Sequence, residues 1–169
     1  EASTAPGASD IDWLPTDGPH TQMGWNIDPD ALYNTLVRLN DDYDHIPLVV
    51  TENGMACPDE VEVGPDGVKM VHDDDRIDYL RRHLEAVHRA IEEGANVIGY
   101  FVWSLMDNFE WAFGYDRRFG LTYVDYTPRS AYGRTATTGT VTSSPSTPPS
   151  SGFGRAGRGS CNVCGYAHV

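Results

Sequence analysis

An apolar run, Leu48-Val49-Val50-Thr51, delivers a carboxylate, Glu52, directly into Asn53-Gly54. A strand ending in a tight turn holds its last side chains rigidly at the C-terminal edge of a sheet, and glycine supplies the positive φ such a reversal needs. Glu52 is therefore placed where a catalytic carboxylate would stand. The same residues also serve as plain hairpin or loop punctuation, so spacing alone leaves both readings open. A second apolar run, Val97-Ile98-Gly99-Tyr100-Phe101-Val102, feeds Trp103-Ser104-Leu105-Met106-Asp107-Asn108-Phe109-Glu110-Trp111. The Trp103 indole offers a flat apolar face, and Glu110 with the Trp111 N–H offers an acceptor and a donor beside it. Without further information the same aromatics read equally well as ordinary core at a strand end.

The elements between these runs decide whether they meet. Asp73 is placed to cap a helix, Asp74 and Asp75 suit its positive N-terminal end, and Ile77, Leu80, Leu84, Val87 and Ile91 recur at helical spacing before Gly94 stops it. A strand–helix–strand crossover implies neighbouring parallel strands with both following loops at one end of the sheet. Glu52 and the Trp103 to Trp111 stretch are then expected to face one cleft. Upstream, Pro29 after Asp28 starts an earlier helix with Leu32, Leu36 and Leu39 on one face, leading into the Leu48 strand.

Those residues carry a resemblance. TENG at 51–54, the helix around Arg76-Ile77-Asp78-Tyr79-Leu80 and GYFVWSLMDNFEW at 99–111 closely resemble the C-terminal part of family 1 glycoside hydrolases, the β-glucosidases. RFGLTYVDY at 118–126 and TQMGWNIDPDALYNTL at 21–36 resemble the same family, so the likeness covers roughly residues 10–130. It implies an α/β fold, the C-terminal portion of a (β/α)8 barrel, with helix, strand, helix, strand matching the last two barrel strands. A complete barrel needs about 200 residues or more, and this chain has 169. An incomplete barrel, a fragment whose N-terminal half lies elsewhere, is the expectation.

The resemblance also implies the chemistry. Retaining glycosidases use two carboxylates about 5 to 5.5 Å apart, one as nucleophile and one as acid and then base. Glu52 resembles the family's nucleophile, whereas the partner acid belongs to an Asn-Glu-Pro motif that does not occur in this sequence. By the same likeness Trp103, Glu110 and Trp111 hold the glycone, and Phe119 lines the pocket. An ionised Glu110 accepts from sugar hydroxyls such as O4 and O6 and repels a phosphate at O6, so a neutral β-glucoside or cello-oligosaccharide is the expected partner. The adjacent Arg117 and Arg118 read as a solvated loop pair. The activity implied is hydrolysis of terminal β-D-glucosyl residues, with the isolated chain inactive for want of the acid. A non-catalytic sugar-binding remnant and a half-barrel completed by another polypeptide are the alternatives.

Composition divides the chain at residue 126. Residues 1–126 hold all 25 acidic residues against 8 basic ones. Residues 127–169 hold none, with four Arg, and Gly, Pro, Ser and Thr make up 25 of the 43 positions. Too little apolar surface is available there to offset chain entropy, so a disordered or frame-shifted tail is expected after a barrel portion at 1–126. The family's final helix would then be missing and apolar surface left exposed. The acidic balance disfavours nucleic acid, and there is no run of about 18 apolar residues for a membrane span. Cys161 and Cys164 form a lone C-x-x-C with no second ligand pair, and Cys57 is isolated, which fits a reducing cytoplasm rather than a disulfide framework or a zinc site. His72, His83 and His88 read as solvated helix-face histidines, and the acidic triplet 73–75 as helix-start electrostatics rather than a calcium site. No metal or cofactor is called for, and the oligomeric state is not readable.

Overall fold

The computed structural model of the chain describes residues 16–127 and 130–135. Helix α1 (Pro29–Asp42) leads into strand β1 (Leu48–Asn53), a hairpin of β2 (Val61–Val63) and β3 (Lys69–Val71), helix α2 (Asp74–Glu92), strand β4 (Val97–Val102) and a hairpin of β5 (Thr122–Asp125) and β6 (Ser130–Gly133). β1 and β4 pair in parallel, Leu48 with Val97 and Asn53 with Val102, as the crossover through α2 requires. The loops that follow both strands therefore leave the sheet at the same end.

Apolar periodicity accounts for the packing. Leu36 from α1, Val87 and Ala90 from α2, and Val50, Val97 and Tyr100 from the strands form one core, with Leu32, Leu84 and Ile91 packed against it. Leu39 departs from the expected face and is 36% exposed. The two helices are laced by Arg89, which pairs with Asp30 at 2.5 Å and stacks its guanidinium 3.9 Å from the Tyr33 ring centroid. Asn40, buried at the end of α1, accepts the Asn96 N–H at 3.0 Å and so fixes where β4 begins. The opposite face of the β1–β4 pair leaves Val49 and Ile98 exposed.

The helix ends follow local chemistry with one difference. Asp28 accepts the Ala31 N–H at 3.1 Å and Pro29 occupies the first turn, as a capped start demands. Gly94 ends the second helix region at φ +105. Asp73 stands at the N-cap of α2 but its carboxylate makes no capping bond; it is turned instead to the buried Arg76. A buried guanidinium without an anion is far costlier than an uncapped amide at a helix start, so the ion pair wins the carboxylate. His83 is likewise not a solvated helix-face histidine: it is 4% exposed, stacks on Tyr79 with ring centroids 3.9 Å apart and sets Nδ1 2.8 Å from the Tyr79 carbonyl.

Strand β6 lies within the segment assigned above to the unstructured tail. It pairs with β5 through Tyr123–Tyr132 and Val124–Ala131, and Arg134 just beyond it is buried. The tail from residue 136 on, with Cys161 and Cys164, lies outside the described residues. Cys57 is a buried free thiol whose pKa is pushed up to about 12 by burial. No helix among the described residues is long and apolar enough to cross a membrane.

Candidate active site

The sheet delivers Glu52 to its C-terminal end. β1 runs through Asn53, and the chain continues to Glu60 without a turn, so the expected reversal at Asn53–Gly54 does not form. Gly54 is required for another reason than a positive φ. A Cβ there would overlap the backbone carbonyl of Trp103 and come within 2.8 Å of its carbonyl carbon. The glycine thus lets the loop after β1 touch the loop after β4, which brings the two sets of candidate residues together. Asn53 reinforces the contact: its carbonyl accepts the Trp103 N–H at 3.0 Å, its Oδ1 accepts the Tyr100 hydroxyl at 2.6 Å, and its Nδ2 donates to the Tyr79 hydroxyl at 3.3 Å.

Beyond β4 the Trp103–Ser104 peptide is cis. Residues 104–107 then run beside 119–122, held by Ser104 N–H to Phe119 O, Leu121 N–H to Ser104 O, Thr122 N–H to Leu105 O and Asp107 N–H to Thr122 O. A tight turn follows at Glu110–Gly114, with the Glu110 N–H on the Gly114 carbonyl and the Phe113 N–H on the Glu110 carbonyl. Trp111 occupies this turn at φ +42, a left-handed conformation that non-glycine residues rarely adopt.

Trp25, Glu52, Asn53, Gly54, Tyr79, Trp103, Glu110, Trp111 and Phe119 line one open cleft of about 320 Å³. All five residues singled out from the sequence are among them. Their exposures differ sharply. Glu52 is exposed, and its carboxylate has no hydrogen-bond or ion-pair partner among the described residues. Trp111 is 84% exposed, while Phe119 is 2% exposed and forms the floor, 6.0 Å from the Trp25 ring centroid. Partial burial moves the Glu110 carboxyl upward from the usual range. Burial also raises the Tyr79 and Tyr100 phenols, so both stay protonated.

Trp25, Asn53 and Tyr79 were not anticipated as lining residues. Trp25 and Asn53 lie inside the family-like stretches, and Tyr79 falls one turn before His83 on the buried face of α2. Beneath the cleft is a cluster that charge patterning did not reveal. Asp107, 0% exposed at its side chain, pairs with Arg118 at 2.8 Å and Arg134 at 3.1 Å. Arg134 also meets Asp59, and Arg76 donates to the Arg118 carbonyl at 2.7 Å and the Met55 carbonyl at 3.3 Å. Arg118 is therefore not half of a solvated pair: its guanidinium sits over the Tyr123 ring at 4.2 Å and is committed to Asp107 and the Val124 carbonyl. Burial raises the Asp59 carboxyl to about 6 against the opposing pull of Arg134.

An unpartnered carboxylate at a strand end, in an open cleft shared with three indoles and a second carboxylate, is suited to binding and attacking a neutral polyol ring. The family model "Glycosyl hydrolase family 1" matches residues 4–139. A bifunctional β-D-glucosidase/β-D-fucosidase of Bifidobacterium breve is 86% identical over 126 residues, covering 75% of this chain and 27% of that protein. A 6-phospho-β-galactosidase of Staphylococcus aureus strain JH9 is 46% identical over 117 residues, covering 69% of this chain and 24% of that protein. The solved structure of a Thermotoga maritima β-glucosidase in complex with glucoimidazole superposes with a TM-score of 0.70 at 42% identity, over 81% of this chain and 30% of that one. The chain thus spans about a quarter of the length of the curated relatives it matches. Its α1-β1-α2-β4 unit is a portion of their (β/α)8 barrel. With that match across most of its length, the chain belongs to glycosyl hydrolase family 1.

Proposed function

We propose that this chain carries the nucleophile and the glycone-binding wall of a retaining β-glucosidase. The observation that supports the reading best is the convergence of Glu52, Trp103, Glu110, Trp111 and Phe119 on one cleft from two adjacent parallel strands. Glu52 attacks the anomeric carbon and forms a glycosyl-enzyme ester, with the leaving oxygen protonated by a carboxylic acid supplied from outside these residues. The same outside group then deprotonates the water that releases the sugar with retained configuration. Trp103 and Trp111 stack on and edge the ring, and Glu110 accepts from its hydroxyls. The isolated chain, holding a nucleophile and no acid partner, does not turn over unactivated glycosides. Its three cysteines, with Cys57 a buried thiol, suit the cytoplasm.

Substrate class follows from Glu110. A carboxylate facing the ring favours hydroxyl donors and disfavours the dianion of a 6-phosphate, although 6-phospho-specific relatives are similar to the chain as a whole. Arg118 does not line the cleft, and its Nη1 is already bonded to Asp107 and the Val124 carbonyl, so it is not placed to offset that repulsion. A neutral β-D-glucoside, with β-D-fucoside accepted as the name of the Bifidobacterium breve relative suggests, is the substrate class we assign.

The test joins the chain to the part of the Bifidobacterium breve relative that precedes the matched segment, and measures release of an aryl aglycone. The reading predicts turnover of the β-glucoside in the joined protein, none in the chain alone, and loss on the order of 10³-fold or more in Glu52→Gln. Turnover that survives Glu52→Gln would refute it.

A further inference from the structure

We infer that Asp107 is a positioning residue for sugar recognition, the fixed point that sets Glu110 at its working distance from Phe119 and the ring it faces. The inference rests on the reading of Glu110 as a ligand of the sugar's hydroxymethyl end. Asp107 itself does not line the cleft. Its Oδ1 accepts the Gly120 N–H at 2.9 Å and Arg134 Nη1 at 3.2 Å; its Oδ2 accepts Arg118 Nη1 at 2.8 Å, the Val124 N–H at 3.1 Å and Arg134 Nη2 at 3.1 Å. Five donors on one buried carboxylate use its full acceptor capacity, and charge-assisted bonds of this kind are the stronger class.

Two of those donors are main-chain amides of the segment that carries Phe119. Gly120 follows Phe119 directly, and a Cβ at Gly120 would collide with the Asp107 amide and the Met106 and Thr122 carbonyl groups, so the two segments touch backbone to backbone. The pairing between 104–107 and 119–122 ends at the Asp107 N–H to Thr122 O bond. Only three residues later comes Glu110, in a turn whose hydrogen bonds close on itself rather than on the rest of the fold. Past it the Tyr126 hydroxyl donates to the Asn108 carbonyl at 3.3 Å, a single long bond, so Asp107 is the last residue paired through its backbone before the turn, and movement of its carboxylate is passed to Glu110. Arg118 and Arg134 hold the carboxylate from the far side, and Asp59 balances Arg134.

Replacing Asp107 with Asn keeps shape and removes charge. Its amide would present donors to groups that are donors already, so the two segments separate slightly and Glu110 shifts relative to the ring. A glucoside, which has the hydroxymethyl group, loses by this; a xyloside, which lacks it, does not. The joined protein described above is assayed with aryl β-glucoside and aryl β-xyloside in parallel for wild type, Asp107→Asn, Arg118→Gln and Glu110→Gln. The expected result is a fall on the order of tenfold in the glucoside-to-xyloside ratio of kcat/KM for Asp107→Asn, carried by glucoside KM, with a smaller fall for Arg118→Gln. Arg118→Gln removes one of five bonds and keeps the question answerable if Asp107→Asn fails to fold. Unchanged ratios in these two variants, while Glu110→Gln collapses the ratio, would overturn the inference and leave the functional reading intact. An unchanged ratio in Glu110→Gln, or no turnover of either glycoside by wild type, would overturn the functional reading and this inference with it.

Discussion

Gly54→Ala is the substitution whose outcome the contact between the loops after β1 and β4 determines most sharply. At Gly54 an added Cβ meets the Trp103 carbonyl, with the carbonyl carbon 2.8 Å away and Trp103 Cα at 3.4 Å. These are backbone atoms of the neighbouring strand's exit, and the Trp103 N–H is simultaneously tied to the Asn53 carbonyl at 3.0 Å. No rotamer change relieves the clash, so β1 and β4 must part at their C-terminal ends. Overpacking of a rigid site costs about 1–3 kcal/mol where side chains yield, and with backbone on both sides the upper end, about 3 kcal/mol, is expected. That corresponds to a roughly 150-fold fall in the folded-to-unfolded ratio. With a urea dependence of about 1.5 kcal/mol/M for a domain of this size, the midpoint falls by about 2 M. The assay is equilibrium urea unfolding followed by tryptophan fluorescence, with Gly94→Ala as the comparison. Gly94 has φ +105 and nothing within 4 Å of an added Cβ, so its cost is conformational strain alone, about 1 kcal/mol. A Gly54→Ala midpoint equal to wild type, or smaller in its shift than Gly94→Ala, would refute the close-approach explanation.

Three further outcomes follow from the same geometry. Asn53→Ala strips the Tyr100 hydroxyl, on a residue 4% exposed, of its acceptor and should cost about 1–3 kcal/mol in urea unfolding; no loss would mean that Tyr100 finds another acceptor. Asp59 has a folded-state pKa raised to about 6 from 3.8, so the folded protein holds a proton at pH 5 that the unfolded chain releases. Its contribution to stability is full below about pH 4 and is lost as pH rises through 6, by up to about 3 kcal/mol. Comparing Asp59→Asn with wild type from pH 4 to 7 should show that component disappear, and parallel curves would contradict the assignment. Trp111, 84% exposed, should be replaceable by Ala with a stability change within about 0.5 kcal/mol while glucoside KM rises in the joined protein; a large stability loss would make it a core residue instead.

The parts of this fold that were legible are those governed by periodicity. α2 was readable from Leu80, Val87 and their helical neighbours, and the two parallel strands from apolar runs whose bounds, Leu48 and Val97, coincide with the observed ends. The candidate site was readable because its residues sit in short stretches whose local pattern carries the family likeness. What escaped was long-range polar pairing. Arg76, Arg118 and Arg134 are charged residues in loops or at helix starts, and such residues read as solvated until Asp73, Asp107 and Asp59 are brought beside them by the fold. His83 was misread for the same reason, since nothing in its neighbours along the chain announces the Tyr79 ring it stacks on. β6 escaped because Ser130, Gly133 and their surroundings have a loop-like composition, and it is the long-range pairing with β5, the stacking of Tyr132 on Tyr123 at 5.2 Å and the buried Arg134 that give that segment a place. Gly54 shows a subtler failure: the residue type was read correctly as essential, but the requirement is space for Trp103 and not a left-handed φ.

The most direct test of the account is to trap the covalent intermediate. The chain joined to the preceding part of its Bifidobacterium breve relative is incubated with a 2-deoxy-2-fluoro-β-glucoside bearing an activated leaving group, which forms the glycosyl ester and hydrolyses slowly, and the digest is sequenced by mass spectrometry. The account predicts a single glycosylated peptide with the sugar on Glu52 and no adduct in Glu52→Gln. An adduct on another carboxylate, with Glu52→Gln still labelled, would contradict it.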